Sequence, residues 1–279
     1  MTENLDVELS GGVWRALQRR RADTGESLDQ LVDSLLSSAL ALDRHSLFQV
    51  STSNALIQGI FGGTTTVADL KRHGDFGVGT FAGLDGEMIM LEGECFRAGP
   101  GGQLSVVADD EETPFALIAR FHTDIDSNLT GPIDFAGMTE WLDGLRPSEN
   151  VFVGIRGDGE FDLLSMRAIC RARPSEGLLE ATKHQSEFTR EGISGTLVGF
   201  WSPEYSRAVS VPGYHLHFVS DDRSLGGHVF GLSAPDLRFS LHTESELHLA
   251  MPETEEFLTA DLAGDHGDEL DEAETRPRS

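Results

Sequence analysis

The segment GYHLHFVSDDRSLGGHVFG, which begins at Gly213, constrains the fold more than any other part of the chain. His215 and His217 alternate with apolar residues, and in a β-strand this alternation places both imidazoles on one face. The polar loop 220–227 is typical of a hairpin connection, which would return the chain to a second strand that begins at His228. The pattern therefore predicts two antiparallel strands that bring three histidines together.

Three neighbouring histidines are suited to one metal ion. A three-histidine site with an open fourth position is the arrangement of catalytic zinc, although imidazole also suits other divalent metals. Hydrogen-bonded histidines on a half-buried sheet are the alternative, but three of the ten histidines of the chain fall in this one segment. We therefore predict that His215, His217 and His228 bind one divalent ion, zinc or another divalent metal.

The other histidines carry no comparable pattern. His242 and His248 occur in the alternating run LRFSLHTESELHL and are interpreted as ordinary strand residues. Spacing gives no partner to the rest, which are His45, His73, His122, His184 and His266.

The net charge limits the partners of the chain. A formal net charge of -26 would repel phosphate backbones and anionic membranes, so a small molecule is a better candidate partner than nucleic acid. An anionic substrate would then need a local cation. Lys71 and Lys183 are the only lysines, and a high-salt cytoplasm tolerates such an acid-rich, lysine-poor surface. A comparison of stability in low and molar salt tests that hypothesis.

The chain has no leader-like basic and apolar start, and no run of about 18 apolar residues, which a membrane-spanning helix needs. Its two cysteines, Cys95 and Cys170, lack CxxC spacing and are too few for a disulfide scaffold. We expect a cytoplasmic protein that does not enter membranes.

The first 45 residues have a pattern of their own. Apolar residues alternate with Asn4, Asp6 and Glu8, which predicts a short strand, and helical spacing over 13–22 and 28–40 predicts two helices. Strand, helix, turn and helix in this order resemble a ribbon-helix-helix module, whose outward strand residues read DNA bases. Here those residues include two carboxylates, which phosphates would repel. A dimerising appendage is favoured, and DNA binding is the less favoured alternative.

The remainder of the chain alternates short apolar runs with glycines and turns. The pattern predicts strands at 77–81, 88–91, 117–121 and from 151 onward, with helices at 54–60, 66–72 and 133–145. The acidic segment after Leu262 is typical of a flexible tail. We predict an α+β, or mixed α/β, fold with two sheet-rich halves, 46–148 and 149–279, that contain mixed β-sheets and few helices. The small ribbon-helix-helix-like module, 1–45, precedes them.

Three longer stretches indicate a family. They are SNALIQGIFGGTTTVADLKRHGDFGVGTFAGLDGEMIML, FVGIRGDGEFDLLSMRAICRARP and GYHLHFVSDDRSLGGHVFG, and in that order they resemble alpha-acetolactate decarboxylase. The most specific pieces are HGDFGVGTF with LDGE, and HxH followed by GGH. The resemblance extends from about Asn54 to the C-terminus.

The resemblance implies a metalloenzyme, usually zinc-dependent, that converts 2-acetolactate to acetoin and carbon dioxide in a fold that commonly forms homodimers. The metal would stabilise the enediolate that remains after carbon dioxide leaves. The metal ligands of the family correspond to His215, His217 and His228. Its active-site arginine corresponds to Arg167, and its first active-site glutamate to Glu87.

A second active-site glutamate lies near the C-terminus of the family. The spacing from His228 places it at Glu274, with Glu272 and Glu269 close enough to take its place. The sequence departs from the usual family pattern directly after Arg167, where an Ala-Ile pair follows, and in its unusually acidic tail.

The chemistry of the reaction agrees with these residue types. A guanidinium offers a planar fork that matches a carboxylate, so Arg167 is the local cation for the substrate. A carbanion-like intermediate has to be protonated, and Glu87 in a desolvated pocket is the candidate acid. Glu274 would orient a water or the substrate hydroxyl, which requires that the tail fold back over the site.

Two other functions would use some of the same features. One is a ribbon-helix-helix DNA-binding regulator whose body senses a metal or a metabolite, and gel-shift experiments on promoter fragments test it. The other is a cupin-type oxygenase, which also carries HxH on a strand but typically adds a glutamate a few residues later. Here the next acids are Asp221 and Asp222, and His228 follows closely.

Overall fold

The computed structural model describes residues 7–24, 27–39, 45–173, 176–264 and 269. The chain divides into two compact units, Met1–Arg44 and His45–Ser279. Among the described helices, none is long and apolar enough to cross a membrane.

The N-terminal unit contains two helices, α1 (Gly11–Thr24) and α2 (Leu28–Ala39), and both were predicted from the sequence. Residues 7–10 lie in neither helix nor strand. The rest of the predicted strand, including Asn4 and Asp6, lies outside the described residues. Because a ribbon takes its second strand from another copy of the chain, the ribbon-helix-helix resemblance stays a prediction.

Strands dominate the larger unit, and its helices are short. The helices are α3 (Ser53–Ile57), α4 (Val67–His73), α5 (Phe135–Asp143), α6 (Leu178–Thr182) and α7 (Glu255–Thr259). The strands are β1 (Ser46–Val50), β2 (Thr65–Thr66), β3 (Phe76–Thr80), β4 (Glu87–Leu91), β5 (Glu94–Ala98), β6 (Leu104–Val106), β7 (Glu112–Thr113), β8 (Phe115–Ala119), β9 (Ile125–Asp134), β10 (Phe152–Ala168), β11 (Ser186–Ser202), β12 (Gly213–Ser220), β13 (Gly226–Glu244) and β14 (Glu246–Ala250). The predicted strands are present with small shifts of their ends.

Side-chain caps fix where two of these helices begin. At α4, the Thr66 hydroxyl accepts from the Asp69 amide at 3.2 Å, and the Asp69 carboxylate accepts from the Thr66 amide at 3.1 Å. At α5, the Asp134 carboxylate accepts from the Gly137 amide at 2.8 Å. The helix predicted over 133–145 is therefore too long at its start, because Ile133 and Asp134 pair with β13 instead. The helix predicted over 54–60 ends at Ile57.

The first sheet is mixed. Its seven strands follow the order β14-β1-β8-β3-β4-β5-β6, in which β1 and β14 are parallel and the other pairs are antiparallel. One face packs on α4 through a core that includes Val67, Leu70 and Met90. The opposite face, which carries Val78, packs against the second sheet.

The second sheet follows the order β10-β11-β12-β13-β9, and it curls into a ring because β13 also pairs with β10. Apolar side chains such as Leu216, Phe161 and Phe218 fill its inner face. The rings of Phe161 and Phe218 meet edge to face, with centroids 5.4 Å apart. The outer face, which carries Phe200 and Val219, packs against the first sheet. Two packed sheets with few helices confirm the predicted fold class.

The chain crosses between the two sheets twice. β9 lies in the second sheet although it follows β8 of the first, and β14 returns to the first sheet after β13. The connections 120–124 and Ser245 therefore carry the chain from one sheet to the other.

Candidate active site

The strand register brings the three predicted histidines together on the outer face of the second sheet. His215 and His217 leave β12 on the same side, and His217 pairs across the sheet with His228 of β13. Their ring centroids are 5.0 to 5.4 Å apart, and one ligand atom from each lies within 4.8 Å of the others. The chain reverses between Ser220 and Gly226, as the hairpin pattern predicted.

The geometry of these histidines fits a metal ion. The Nδ1 atom of His217 donates to the carbonyl oxygen of Met88 at 2.9 Å, which places the ring proton on Nδ1 and makes Nε2 the nitrogen that can bind a metal. The Nε2 atoms of His215 and His217 are 3.2 Å apart. Two nitrogen ligands at about 2.05 Å from a tetrahedral ion lie about 3.3 Å apart, so this spacing is the one that a shared ion requires. All three side chains are buried.

Burial also keeps these imidazoles in the form that binds metal. Burial, followed by the positive charge of Arg167, lowers the pKa of His215 to about 4. The pKa of His228 is also well below its usual value. Burial is the largest cause, and the nearby charges of Arg167 and of the other two histidines lower this pKa as well. A neutral imidazole carries the lone pair that a metal needs, so the site is ready to accept an ion at neutral pH.

Arg167 lies directly beside the histidines. It pairs with His228 in the register of β10 and β13, and its Nη2 atom is 3.2 Å from the Nε2 atom of His228. The side chain is only 5% exposed, so this guanidinium is a buried cation and not a surface arginine. It is the local positive charge that an anionic substrate of this acidic chain would need.

Glu87 approaches the histidines from the first sheet. The amide of Ile169 donates to its Oε1 atom at 2.8 Å, and its Oε2 atom is 3.7 Å from the Nε2 atom of His217. The preceding turn requires left-handed backbone at Gly86, whose φ is 93° and where a Cβ would lie 2.7 Å from the carbonyl oxygen of Ala98. The turn therefore fixes where β4 begins and so where the carboxylate lies.

Arg167, Glu87, His215 and His228 line one cavity. Its apolar walls come from α3, α6, the first sheet and the segments that adjoin β4, β10 and β12, namely Leu56, Leu84, Phe115, Ile169, Leu178 and Val211. Polar side chains that the sequence did not single out also face it, namely Ser53, Thr80, Thr182 and Gln185. No spacing in the sequence marks them, because they reach the cavity from separate elements. Glu274 and Glu272 lie outside the described residues.

Comparison with known sequences identifies one family. A family model described as alpha-acetolactate decarboxylase matches residues 47–264. The alpha-acetolactate decarboxylase of Methanosarcina mazei is 38% identical over 250 residues, which cover 89% of this chain and 85% of the relative. That of Methylococcus capsulatus is 39% identical over 236 residues, which cover 84% of this chain and 91% of the relative.

Solved structures agree with the sequence comparison. The alpha-acetolactate decarboxylase from Bacillus subtilis strain 168 is 31% identical, with a TM-score of 0.80 over 83% of this chain and 100% of that one. A Staphylococcus aureus protein of unknown function, similar to alpha-acetolactate decarboxylase, is 29% identical, with a TM-score of 0.78 over 82% of this chain and 99% of that one. With this agreement in sequence and in fold, the chain belongs to the alpha-acetolactate decarboxylase family.

Proposed function

We propose that this chain is a zinc-dependent carboxy-lyase that converts 2-acetolactate to acetoin and carbon dioxide. The observation that carries the proposal is a cluster of three buried histidines beside a cavity that two of them line together with a buried arginine and a glutamate, in a member of this family. Neutral ligands, a cation and an acid are the groups that decarboxylation of a β-keto acid needs.

The barrier to the reaction is the electron pair that remains when carbon dioxide leaves. In 2-acetolactate the carboxylate is attached to a carbon that also carries a hydroxyl group and lies next to a ketone. A divalent ion held by His215, His217 and His228 would supply a Lewis acid next to that developing charge. Three imidazole ligands favour zinc for this role.

We assign substrate binding to Arg167. Its guanidinium is buried beside His228, so a carboxylate in the cavity would meet a cation in a poorly solvated environment, where charge-assisted hydrogen bonds are strong. The planar fork would hold the carboxylate in one orientation while the bond to carbon dioxide breaks.

We assign proton donation to Glu87. Its Oε1 atom accepts the hydrogen bond from the Ile169 amide, and we assign the transferred proton to Oε2. That oxygen lies on the side of the carboxylate that faces His217. A positioned acid at this place would protonate the intermediate on one face.

Glu274 is proposed to orient the substrate hydroxyl or a water. The Nδ2 atom of Asn54 donates to the carbonyl oxygens of Leu262 at 3.0 Å and Gly264 at 3.4 Å, which ties the C-terminal segment to α3 beside the cavity. Ten residues of extended chain reach at most about 33–36 Å, so a glutamate at position 274 is within range of the site.

We also propose that the protein is a cytoplasmic homodimer. Both cysteines, buried Cys95 and half-buried Cys170, are free thiols, which agrees with a reducing compartment. Light scattering during gel filtration would measure the mass and so test the dimer. Nucleic acid is not proposed as a partner, given the net charge of -26.

The function is tested by mixing the metal-loaded protein with racemic acetolactate and measuring acetoin. Acetoin should form faster than in the spontaneous reaction, and the His228→Ala variant should lose both activity and one bound ion. His248→Ala is the matched control, because that histidine is exposed on β14. No acetoin above the spontaneous rate would refute the proposal.

A further inference from the structure

A second group of histidines and carboxylates lies where the chain passes between the two sheets. His45 directly precedes β1, Asp124 directly precedes β9, and His242 and Glu244 lie at the end of β13. We name these four residues the junction cluster. His242 and Glu244 leave their strand on the same face, the outer face of the ring, just as His215 and His217 do on β12.

The side chains of the junction cluster converge on His242. Its Nδ1 atom is 3.2 Å from the Oδ2 atom of Asp124, and its Nε2 atom is 3.3 Å from the Oε1 atom of Glu244. The ring of His45 stacks on it with centroids 5.3 Å apart. One ligand atom from each of His45, Asp124 and His242 lies within 4.8 Å of the others.

The polar atoms of His242 and Glu244 are buried without matching hydrogen bonds. These two residues are 0% and 1% exposed, and among the described residues the contacts of their ring nitrogens and carboxylate oxygens do not reach hydrogen-bond geometry. Buried polar groups without partners are uncommon and call for a missing partner.

We infer that His45, Asp124 and His242 bind a second divalent metal ion of the zinc type, and that Glu244 orients His242. Two imidazoles and a carboxylate form a donor set that suits zinc and its neighbours in the first transition row. An Nδ1 ligand whose Nε2–H points at a carboxylate is the carboxylate–histidine–metal arrangement of known sites. One ion would thus supply a partner to the Nδ1 atom of His242 and to the Asp124 carboxylate, and it would leave the Nε2–H of His242 to donate to Glu244.

Hydrogen bonds to Thr243 hold the other two proposed ligands, Asp124 and His45, beside His242. The Asp124 carboxylate accepts from the amide of Thr243 at 2.8 Å, which holds it beside His242. The Nδ1 atom of His45 lies 4.0 Å from the Oδ2 atom of Asp124 and donates to the carbonyl oxygen of Thr243 at 2.6 Å, so the lone pair is on Nε2, and this half-exposed ring would turn to present it to the ion. His45 and Asp124 are 49% and 33% exposed, which gives an ion a path from solvent.

The junction cluster is distinct from the candidate active site. A row of paired residues runs across the second sheet from His242 through Gly154 and Phe200 to His215. The row spans three strand spacings, which is about 14 Å along the curved sheet. An ion in the cluster would join the residue before β1, the connection 120–124 and the end of β13, so its role would be structural, and the inference does not rest on the proposed function.

The test is the metal content of the full-length protein after loading with zinc and removal of excess ion. We expect two ions per chain in the wild type, one in His228→Ala, one in Asp124→Asn, and none in the double variant. Glu244→Gln should keep the second ion with an affinity about 10-fold to 100-fold weaker, because it removes the group that orients His242. Thermal unfolding with and without zinc in the His228→Ala background gives an independent readout.

Two variants make the result interpretable. His45→Gln changes a half-exposed side chain, so it should fold even if a core substitution does not, and it should also lose the second ion. His248→Asn removes an exposed histidine that lies 3.6 Å from Glu246, and it should keep two ions. One ion in the wild type, or an unchanged count in both Asp124→Asn and His45→Gln, would overturn the inference.

Discussion

The role proposed for Arg167 predicts a large loss of catalysis with little loss of metal. In the Arg167→Ala variant the substrate carboxylate loses its buried cation, while His215, His217 and His228 remain. Arg167 contributes less than burial does to the low pKa values of His215 and His228. The metal content at neutral pH should therefore stay near that of the wild type.

The magnitude follows from two charge-assisted hydrogen bonds. Each such bond contributes about 1.5–3 kcal/mol, so the loss of both raises the barrier by about 3–6 kcal/mol. At about 1.4 kcal/mol for each tenfold change, kcat/KM should fall about 100-fold to 10,000-fold. Arg167→Lys keeps the charge but loses the planar fork, and it should fall about 10-fold to 100-fold.

The assay is the initial rate of acetoin formation over a range of acetolactate concentrations, with metal content measured on the same sample. Arg156→Lys is the matched control, because Arg156 lies on the same strand but binds Asp158 at 2.9 Å and Glu92 at 3.1 Å. It should leave kcat/KM unchanged. An Arg167→Ala variant that kept wild-type kcat/KM, or lost no more than the Arg156→Lys control, would refute the role.

Three further predictions concern the acid, the turn and the ligands. Glu87→Gln should lower kcat about 100-fold to 10,000-fold without loss of metal, because it removes the proton donor. The control is Glu94→Gln, which changes an exposed glutamate on β5 and should have no effect in the same assay. Gly86→Ala should lower both activity and stability, because the new Cβ would lie 2.7 Å from the carbonyl oxygen of Ala98. Gly93 also has a positive φ, but a Cβ there would meet no atom within 4 Å. Gly93→Ala should therefore lower the free energy of unfolding, measured in urea, by about 1–2 kcal/mol and leave activity intact. The metal-free protein should be less stable at pH 5 than at pH 7. His215 has a pKa of about 4 in the folded protein and about 6.5 in the unfolded chain, so the unfolded chain binds more protons in this range. The contribution of His215 to the free energy of unfolding is complete above about pH 6.5 and falls by about 3 kcal/mol as the pH drops to about 4. Urea titrations that showed greater stability at pH 5 than at pH 7 would contradict this prediction.

The sequence predicted the strands that bring the three histidines together because the period of a strand is short. Alternation places His215 and His217 on one face, and the polar loop returns His228 to the same place, so local rules suffice. Local rules of this kind could not predict that Glu87 and Arg167 lie beside the histidines. Their meeting depends on how two sheets pack, and the contact between Glu87 and Ile169 spans 82 residues. Only the family resemblance pointed to them.

The junction cluster exposes the limit of interpreting each strand alone. His242 fits an alternating strand pattern, and it was therefore interpreted as an ordinary strand residue. The structure places it beside Asp124 and near His45, which is 197 residues away in the numbering of the chain. The cluster forms where the residue before β1, the connection 120–124 and the end of β13 come together, and no periodic pattern in the sequence predicts that contact.

Both candidate metal sites lie on the outer face of the second sheet, where the cost of burying polar groups has to be met by the first sheet or by an ion. At the active site the first sheet offsets this cost with hydrogen bonds. Strand β4 provides the Met88 carbonyl that accepts from His217, and its Glu87 carboxylate accepts from the Ile169 amide. The ligands are therefore oriented only when the two sheets are packed together. At the junction cluster the described residues offer His242 no hydrogen bond of this kind. This contrast is the physical reason to expect an ion there, and it implies that zinc binding at the junction stabilises the same packing that orients the ligands of the active site.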